Sequence, residues 1–325
     1  MDNGLERFTF EASKLMVEEP AQLFSKNKRI VYDLSCPPSA VYHGKIEYSR
    51  WQKMDLPEEV YLGNKSIKPI LQEGYYDYEP IESQVPVKEW HVNFADGDLF
   101  IAYGSDLFAQ DETQVAEHPV LASLKQKLNT LRSDPYTVEH GEPTPILISG
   151  VERRCWVKTD PNIEEGRPFG LYGNAFGRVS EEVIKKATVV LNPPTLTNFI
   201  AISAPYGGEG KYTLDEVQYI LETAYSGFKA AVIESGNAPT VIHTGFWGCG
   251  AYGGNRVLMT WLQIVAGKLA GVNQLIFHTG NSNQKDLKSD WAKVEKYIGK
   301  DSLPTDHFFK KILDYGFEWG ESDGN

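Results

Sequence analysis

A chain of 325 residues with 41% hydrophobic side chains can bury a sizeable core, either as one large α/β domain or as a core with an extension. Its 44 acidic residues outnumber 32 basic ones for a formal net charge of -12, and no Lys/Arg-rich block offsets this locally, which argues against duplex nucleic acid and anionic membranes as partners. Cys36, Cys155 and Cys249 lie far apart with no C-x-x-C pair, so neither a disulfide framework nor a metal knuckle is expected and a reducing compartment fits.

In chain order, the opening MDNGLERFTFEASK lacks the basic and apolar regions of a secretory leader, and no apolar run reaches the length that spans a bilayer. A soluble cytoplasmic or nucleocytoplasmic protein is the expectation. Residues 1–85 mix short apolar pieces such as RIVYDLS with proline, tyrosine and acid, without a sustained period, and read as an N-terminal extension or accessory segment. Residues 86–325 read as the main domain. EWHVNFA is a predicted strand, and QVAEHPVLASLKQKLNTL is a broken helical pattern with a boundary at Pro119. TPILISGV and TNFIAISAP are predicted buried strands. TLDEVQYILETAYSGFKAAV is a predicted helix, capped by Thr213 with Glu216 at the capping-box position. TVIHT, a glycine loop, a helix with Val257, Leu258, Trp261, Leu262 and Val265 on one face, and NQLIFHT complete the series. Alternating strands and helices imply a mainly parallel sheet covered on both faces.

The glycine loop places five glycines in the eleven residues Gly245–Asn255. Gly248, Gly250 and Gly253 satisfy G-x-G-x-x-G between a predicted strand and helix, the context in which backbone N–H groups and a helix N-terminus meet a pyrophosphate. The dinucleotide-binding version also wants an acidic residue after the next strand, and QLIFHTGNSN has none. Tight helix packing on the sheet is the rival explanation for the glycines.

TGFWGCGAYGG resembles the T-G-N-W-G-C-G-x-F-G-G-D signature of the poly(ADP-ribose) glycohydrolases, a branch of the macrodomain fold. ETAYSGF and FIAISAP are similar to two further segments of that family. VNFADGDLFIAYGSDLFAQDE, residues 92–112, is similar to its catalytic block V-D-F-A-N-x-x-x-G-G-G followed, seven residues on, by Q-E-E. The resemblance spans roughly residues 90–285 and implies an α/β macrodomain-like three-layer α/β/α sandwich with a mixed, mainly parallel sheet. It also implies an ADP-ribose ligand, with Gly245, Phe246, Trp247, Gly248, Cys249, Gly250, Ala251, Tyr252 and Gln110 as ligand-binding residues, and with Glu112 in the acid/base position beside Asp111. Cys249 becomes a packing residue rather than a nucleophile.

Three departures from the block stand out. Phe100, Ile101 and Ala102 replace the triple glycine, Asp96 replaces an asparagine, and Asp111 shortens a glutamate, while Asp106 adds a carboxylate. Asp96, Asp98, Asp106, Asp111 and Glu112 thus crowd seventeen residues, which should raise at least one carboxyl pKa. An acidic pocket suits a guanidinium leaving group, so hydrolysis of mono-ADP-ribosyl-arginine on a modified protein is the first expectation, with Asp106 and Asp96 gripping guanidinium or ribose. Polymer cleavage between riboses and non-catalytic ADP-ribose reading are the alternatives, as is a simple solvated acidic turn. GLYGNAFGR is expected near the adenosine or distal ribose, and Phe277 or His278 is a candidate to stack on adenine. The histidines show no metal-ligand spacing, so no metal and no cofactor are expected, and His118 reads as a hydrogen-bonded helix-edge residue.

Overall fold

The computed structural model describes residues 4–63, 67, 69–299 and 301–324. The chain opens with β1 (Gly4–Glu11), α1 (Ala12–Glu18), α2 (Lys26–Ser35), β2 (Lys45–Trp51), β3 (Glu59–Tyr61), β4 (Ile70–Gln72) and β5 (Lys88–Ala95). Helices α3 (Gln110–Glu117) and α4 (Val120–Leu131), the small hairpin β6 (Val138–Glu139) and β7 (Glu142–Pro143), and β8 (Ile146–Val157) follow. A 3-10 turn (Gly173–Arg178), α5 (Glu181–Ala187), β9 (Thr188–Ser203) and α6 (Leu214–Glu234) lead to β10 (Thr240–Thr244), α7 (Arg256–Ala270) and β11 (Gln274–His278). The last elements are α8 (Gln284–Ile298), β12 (Ser302–Pro304) and α9 (Thr305–Tyr315).

Eight strands form one sheet in the order β1-β2-β8-β9-β5-β10-β11-β4. From β9 to β4 neighbours pair parallel, and from β1 to β9 antiparallel, so the sheet is mixed. Alternation along β9 shows why both faces are covered: Ile200 and Ile202 point into a core shared with α6, α7, α8 and α9, while Phe199 and Ala201 point into a second core shared with α1 and α4. The expected α/β/α sandwich is therefore present. A third cluster, with Val31, Phe108, Phe176 and Ile184, joins α2 and α5 to the far end of β8.

Local chemistry sets the boundaries. Thr213 and Glu216 form a reciprocal capping box at α6, with Glu216 Oε2 accepting from Thr213 N at 2.7 Å. Pro119 separates α3 from α4, since it has no N–H to continue the first helix. RIVYDLS, aperiodic on a first look, is the body of α2, whose N-cap Ser25 accepts from Lys28 N. The first 85 residues supply β1 and β2 at one edge of the sheet and β4 at the other. Residues 1–3, 64–66 and 68 of that segment lie outside the described residues. Among the described residues no helix is long and apolar enough to cross a membrane.

Candidate functional site

Strand β10 delivers the glycine loop at its carboxyl end, and α7 starts directly behind it. Asn255 caps the helix, its Oδ1 accepting from Val257 N and Leu258 N at 3.1 Å each. Trp247, 1% exposed, anchors the loop by donating from Nε1 to Ile202 O at 3.0 Å. At Gly248 φ is +72°, and a Cβ would lie 2.5 Å from the Ala204 Cβ, so this position admits glycine alone without a shift of β9. Gln263 reaches back from α7, donating from Nε2 to Gly245 O at 3.1 Å and accepting from Thr244 Oγ1. Cys249 is buried, and burial pushes its thiol up to about 12, which suits packing and not nucleophilic attack. Phe246 packs edge-on against Phe277 with the Arg256 guanidinium 4.8 Å from its ring centroid. Gly250, Ala251 and Tyr252 remain partly accessible.

The acidic residues gather at the carboxyl end of β5. Gln110 behaves as an added strand residue: its Oε1 accepts from Phe94 N at 2.8 Å and its Nε2 donates to Val92 O at 3.1 Å, fixing the start of α3 on β5. Asp111 and Glu112 fill the first turn of α3, where the helix field favours negative charge. Glu112 Oε2 accepts from Ala109 N at 3.0 Å. This is half a capping box, because Ala109 has no side-chain oxygen to return the bond. Asp111 Oδ1 accepts from Asn93 Nδ2 at 2.7 Å. Burial raises both carboxyl pKa values. For Asp111 the adjacent Glu112 charge adds to burial and the Asn93 bond opposes it, while for Glu112 the Lys28 ammonium opposes burial.

The five carboxylates of the sequence do not form one pocket. Asp96 is exposed at the end of β5, and its Oδ2 accepts from the Tyr252 phenol at 3.1 Å, so glycine loop and acidic segment meet there. Asp98 is paired with Lys125. Asp106 is exposed and abuts Gly177 in the 3-10 turn, where a Cβ would lie 2.8 Å from its own Cβ. Asp96, Asp111 and Glu112 are the three that influence one another. Phe100 is fully buried at φ +58°, a backbone angle that favours glycine, and its ring enters the core beside α4. Of the three residues that stand for the triple glycine, Ile101 is the outward one, at 57% exposure.

Several neighbours escaped the sequence reading. Lys28 on α2 is 2% exposed, with Nζ donating to Tyr103 O at 2.9 Å and Ala102 O at 3.4 Å. Burial lowers its pKa to about 8 against the pull of Glu112, Asp111 and Asp106. Nothing local marks it, because its partners lie more than seventy residues away in sequence. Tyr172, from GLYGNAFGR, faces the same region. Its phenol is raised to about 12 by burial, then by the charges of Asp323 and Glu112. Phe277 and His278 do not face outward as adenine-stacking candidates. Phe277 packs between Phe246 and Trp291, and His278 lies 3.1 Å from His243, nitrogen to nitrogen. Both are buried because they end a central strand, β11, flanked by β10 and β4. His118 is buried between Gln114 O at 2.8 Å and Thr197 Oγ1 at 3.0 Å. Among the described residues no group of three or more His, Cys, Asp or Glu is arranged to hold a metal ion.

Adjacent parallel strands of a mixed, macrodomain-like α/β/α sandwich thus bring the glycine loop and a buried carboxyl pair to one end of the sheet. Residues 171–287 match the family model of poly(ADP-ribose) glycohydrolase with the Macro domain fold. The match covers 117 of the 325 residues, so the chain is similar to that family over about a third of its length. The matched span includes the glycine loop, and the acidic segment lies upstream of it. Among solved structures, the poly(ADP-ribose) glycohydrolase from Thermomonospora curvata is similar at 13% identity and TM-score 0.44, over 88% of this chain and 85% of that one. The same enzyme bound to the inhibitor ADP-HPD gives 16% identity and TM-score 0.41 over 64% and 71%. A mutant poly(ADP-ribose) glycohydrolase from Deinococcus radiodurans in complex with ADP-ribose gives 12% and 0.43 over 89% and 94%.

Proposed function

We propose that this protein hydrolyses the ribose–ribose glycosidic bond of ADP-ribose polymers. The observation that carries the reading is the Tyr252–Asp96 hydrogen bond, which closes the glycine loop onto the strand end bearing the buried Asp111–Glu112 pair. In this reading the N–H groups of Gly245–Tyr252 and the α7 N-terminus hold the diphosphate, and Gln110 keeps the acidic turn in register. Glu112 transfers its proton to the departing ribose oxygen as the bond to the anomeric carbon breaks. Water then adds its hydroxyl to that carbon and returns a proton to the carboxylate.

The chemistry of the leaving group favours the polymer over arginine. A sugar hydroxyl departs as an alkoxide unless it is protonated, and a carboxyl whose pKa burial raises, as at Glu112, is suited to supply that proton. A guanidinium instead needs carboxylates to grip it, and Asp98, one of the five in the acidic stretch, is neutralised by Lys125. Exposed Asp96 is the observation that keeps mono-ADP-ribosyl-arginine as a second reading.

Purified protein is incubated in parallel with poly(ADP-ribose) and with a carrier mono-ADP-ribosylated on arginine, and free ADP-ribose is measured. Release from polymer is expected. Release from the arginine carrier alone would replace the first reading by the second, and binding of ADP-ribose without any release would make the protein a reader.

A further inference from the structure

After α9 the chain turns back along the glycine loop. Trp319 stacks on Tyr212, centroids 4.4 Å apart and planes 13° apart, and its N–H donates to Gly210 O at 2.8 Å. From this anchor the segment follows the loop residue by residue. Gly320 N donates to Gly253 O at 2.8 Å, Ser322 Oγ to Ala251 O at 2.7 Å, and Asp323 N to Gly250 O at 3.4 Å. From the other side Asn255, the cap of α7, donates from Nδ2 to Glu318 O at 2.8 Å.

The segment ends with a carboxylate on the loop. A Cβ at Gly250 would come within 3.0 Å of Asp323 Oδ2, so the glycine is what lets the carboxylate approach this closely. The Asp323 charge is also felt by the Tyr172 phenol, more strongly than that of Glu112. The exposed carboxylate therefore lies against Gly250, on the glycine loop.

We propose that the glycine loop is a docking site for an acidic peptide segment, filled in this structure by the chain's own residues Gly320–Asp323, and that this segment competes with the ligand's diphosphate. The inference rests on the reading of the loop as the diphosphate holder. Trp319 and Gly320 remain as the anchor. Ser322 and Asp323 form the displaceable tip, exposed at the surface, with Ser322 Oγ on Ala251 O at 2.7 Å and Asp323 N on Gly250 O at 3.4 Å. A diphosphate enters when the tip leaves, so apparent affinity is the intrinsic affinity reduced by the fraction of molecules with the tip out.

The test is calorimetric titration with ADP-ribose of the 325-residue chain, of Ser322→Ala, of Asp323→Asn and of the chain truncated after Gly320. Ser322→Ala removes a tether without changing charge. Asp323→Asn removes the charge, and Glu321→Gln, one residue before the tip, serves as the control for net charge. About 3- to 10-fold tighter binding is expected for both tip variants and at least as much for the truncated chain, with Glu321→Gln unchanged. The gain of Asp323→Asn should shrink in high salt and that of Ser322→Ala should persist. Binding by Ser322→Ala and the truncated chain that is equal to or weaker than that of the intact chain would overturn the proposal while leaving the loop as the diphosphate holder. Absence of ADP-ribose binding in every form would remove that reading and the proposal with it.

Discussion

The phenol of Tyr252 and the carboxylate of Asp96, 156 residues apart in sequence, meet at 3.1 Å and tie the glycine loop to the end of the central strand β5. Removing the hydroxyl by Tyr252→Phe keeps the ring that packs edge-on against Tyr206 and deletes the tie. The loss expected is about 1 kcal/mol of loop closure, read as roughly 5-fold weaker ADP-ribose binding, with melting temperature almost unchanged.

Glu112→Gln keeps size and the acceptor for Ala109 N and removes the transferable proton. Turnover on poly(ADP-ribose) should fall by about 10²- to 10⁴-fold with binding retained within a few-fold. Asp111→Asn, whose side chain would meet the Asn93 amide, tests the partner carboxyl. Burial and the Glu112 charge raise Asp111 to about 8, so an alkaline limb set by Asp111 should vanish in this variant. An unmoved limb would separate Asp111 from the titration.

Lys28 holds the carbonyls of Ala102 and Tyr103 from beneath the same pair. Lys28→Met deletes a buried cation that favours the charged form of Glu112, so the carboxyl pKa should rise and a limb set by Glu112 should shift to higher pH. Lys28→Arg retains the charge and should leave the limb in place, whatever it does to stability.

A buried histidine group makes the fold acid-sensitive. His91 stacks on His243 at 4.2 Å, and His243 bridges His278 and the Glu89 carboxylate, whose Oε2 lies 2.9 Å from Nε2. Burial lowers the His91 pKa well below the usual range, His278 to about 4 and His118 to about 3, with the neighbouring imidazoles and Arg153 adding to the effect. Because these folded-state values lie below the unfolded value, the unfolded chain takes up protons first. The histidine contribution to stability is therefore full above about pH 6.5 and declines below it, by up to about 1.4 kcal/mol per pH unit for each histidine, while Asp111, raised to about 8 in the folded state, contributes with the opposite sign. Urea midpoints between pH 7.5 and 5 should therefore fall more steeply in Asp111→Asn than in the intact protein. A midpoint that stays constant in that variant would mean that the imidazoles are protonated in place.

The division of the chain near residue 85 is a proposal that deletion can test. Residues 86–325 alone would lose β1, β2 and β4, baring both edges of the sheet, the apolar side of β8 included. Expression of 86–325 should give aggregated protein. A soluble, cooperatively melting product would make the first 85 residues an accessory segment in the strict sense.

Long amphipathic stretches and chemically marked turns were legible without coordinates. α6 carries its capping box at Thr213 and Glu216, α7 its buried face at Leu258, Trp261, Leu262 and Val265, and the glycine loop its signature, because each depends on contacts within a few residues. The short strands β3 and β4 were not legible, since at three residues each they cannot display a period. Even inside a well-marked segment, outcomes depended on partners from elsewhere. Asp98 looked like part of a pocket until Lys125 paired with it, and Phe277 and His278 looked like free rings until the sheet buried them.

By itself the sequence determined an α/β sandwich with covered faces, the loop that can meet a diphosphate and the acidic turn at Gln110–Glu112, all carried by local periodicity and short motifs. Tertiary structure alone decided which carboxylates share a field, that a lysine from α2 lies beneath them, and that Asp323 lies on Gly250. Those are contacts across tens to hundreds of residues, and burial and charge at such contacts are properties of the packed chain, not of any stretch of it.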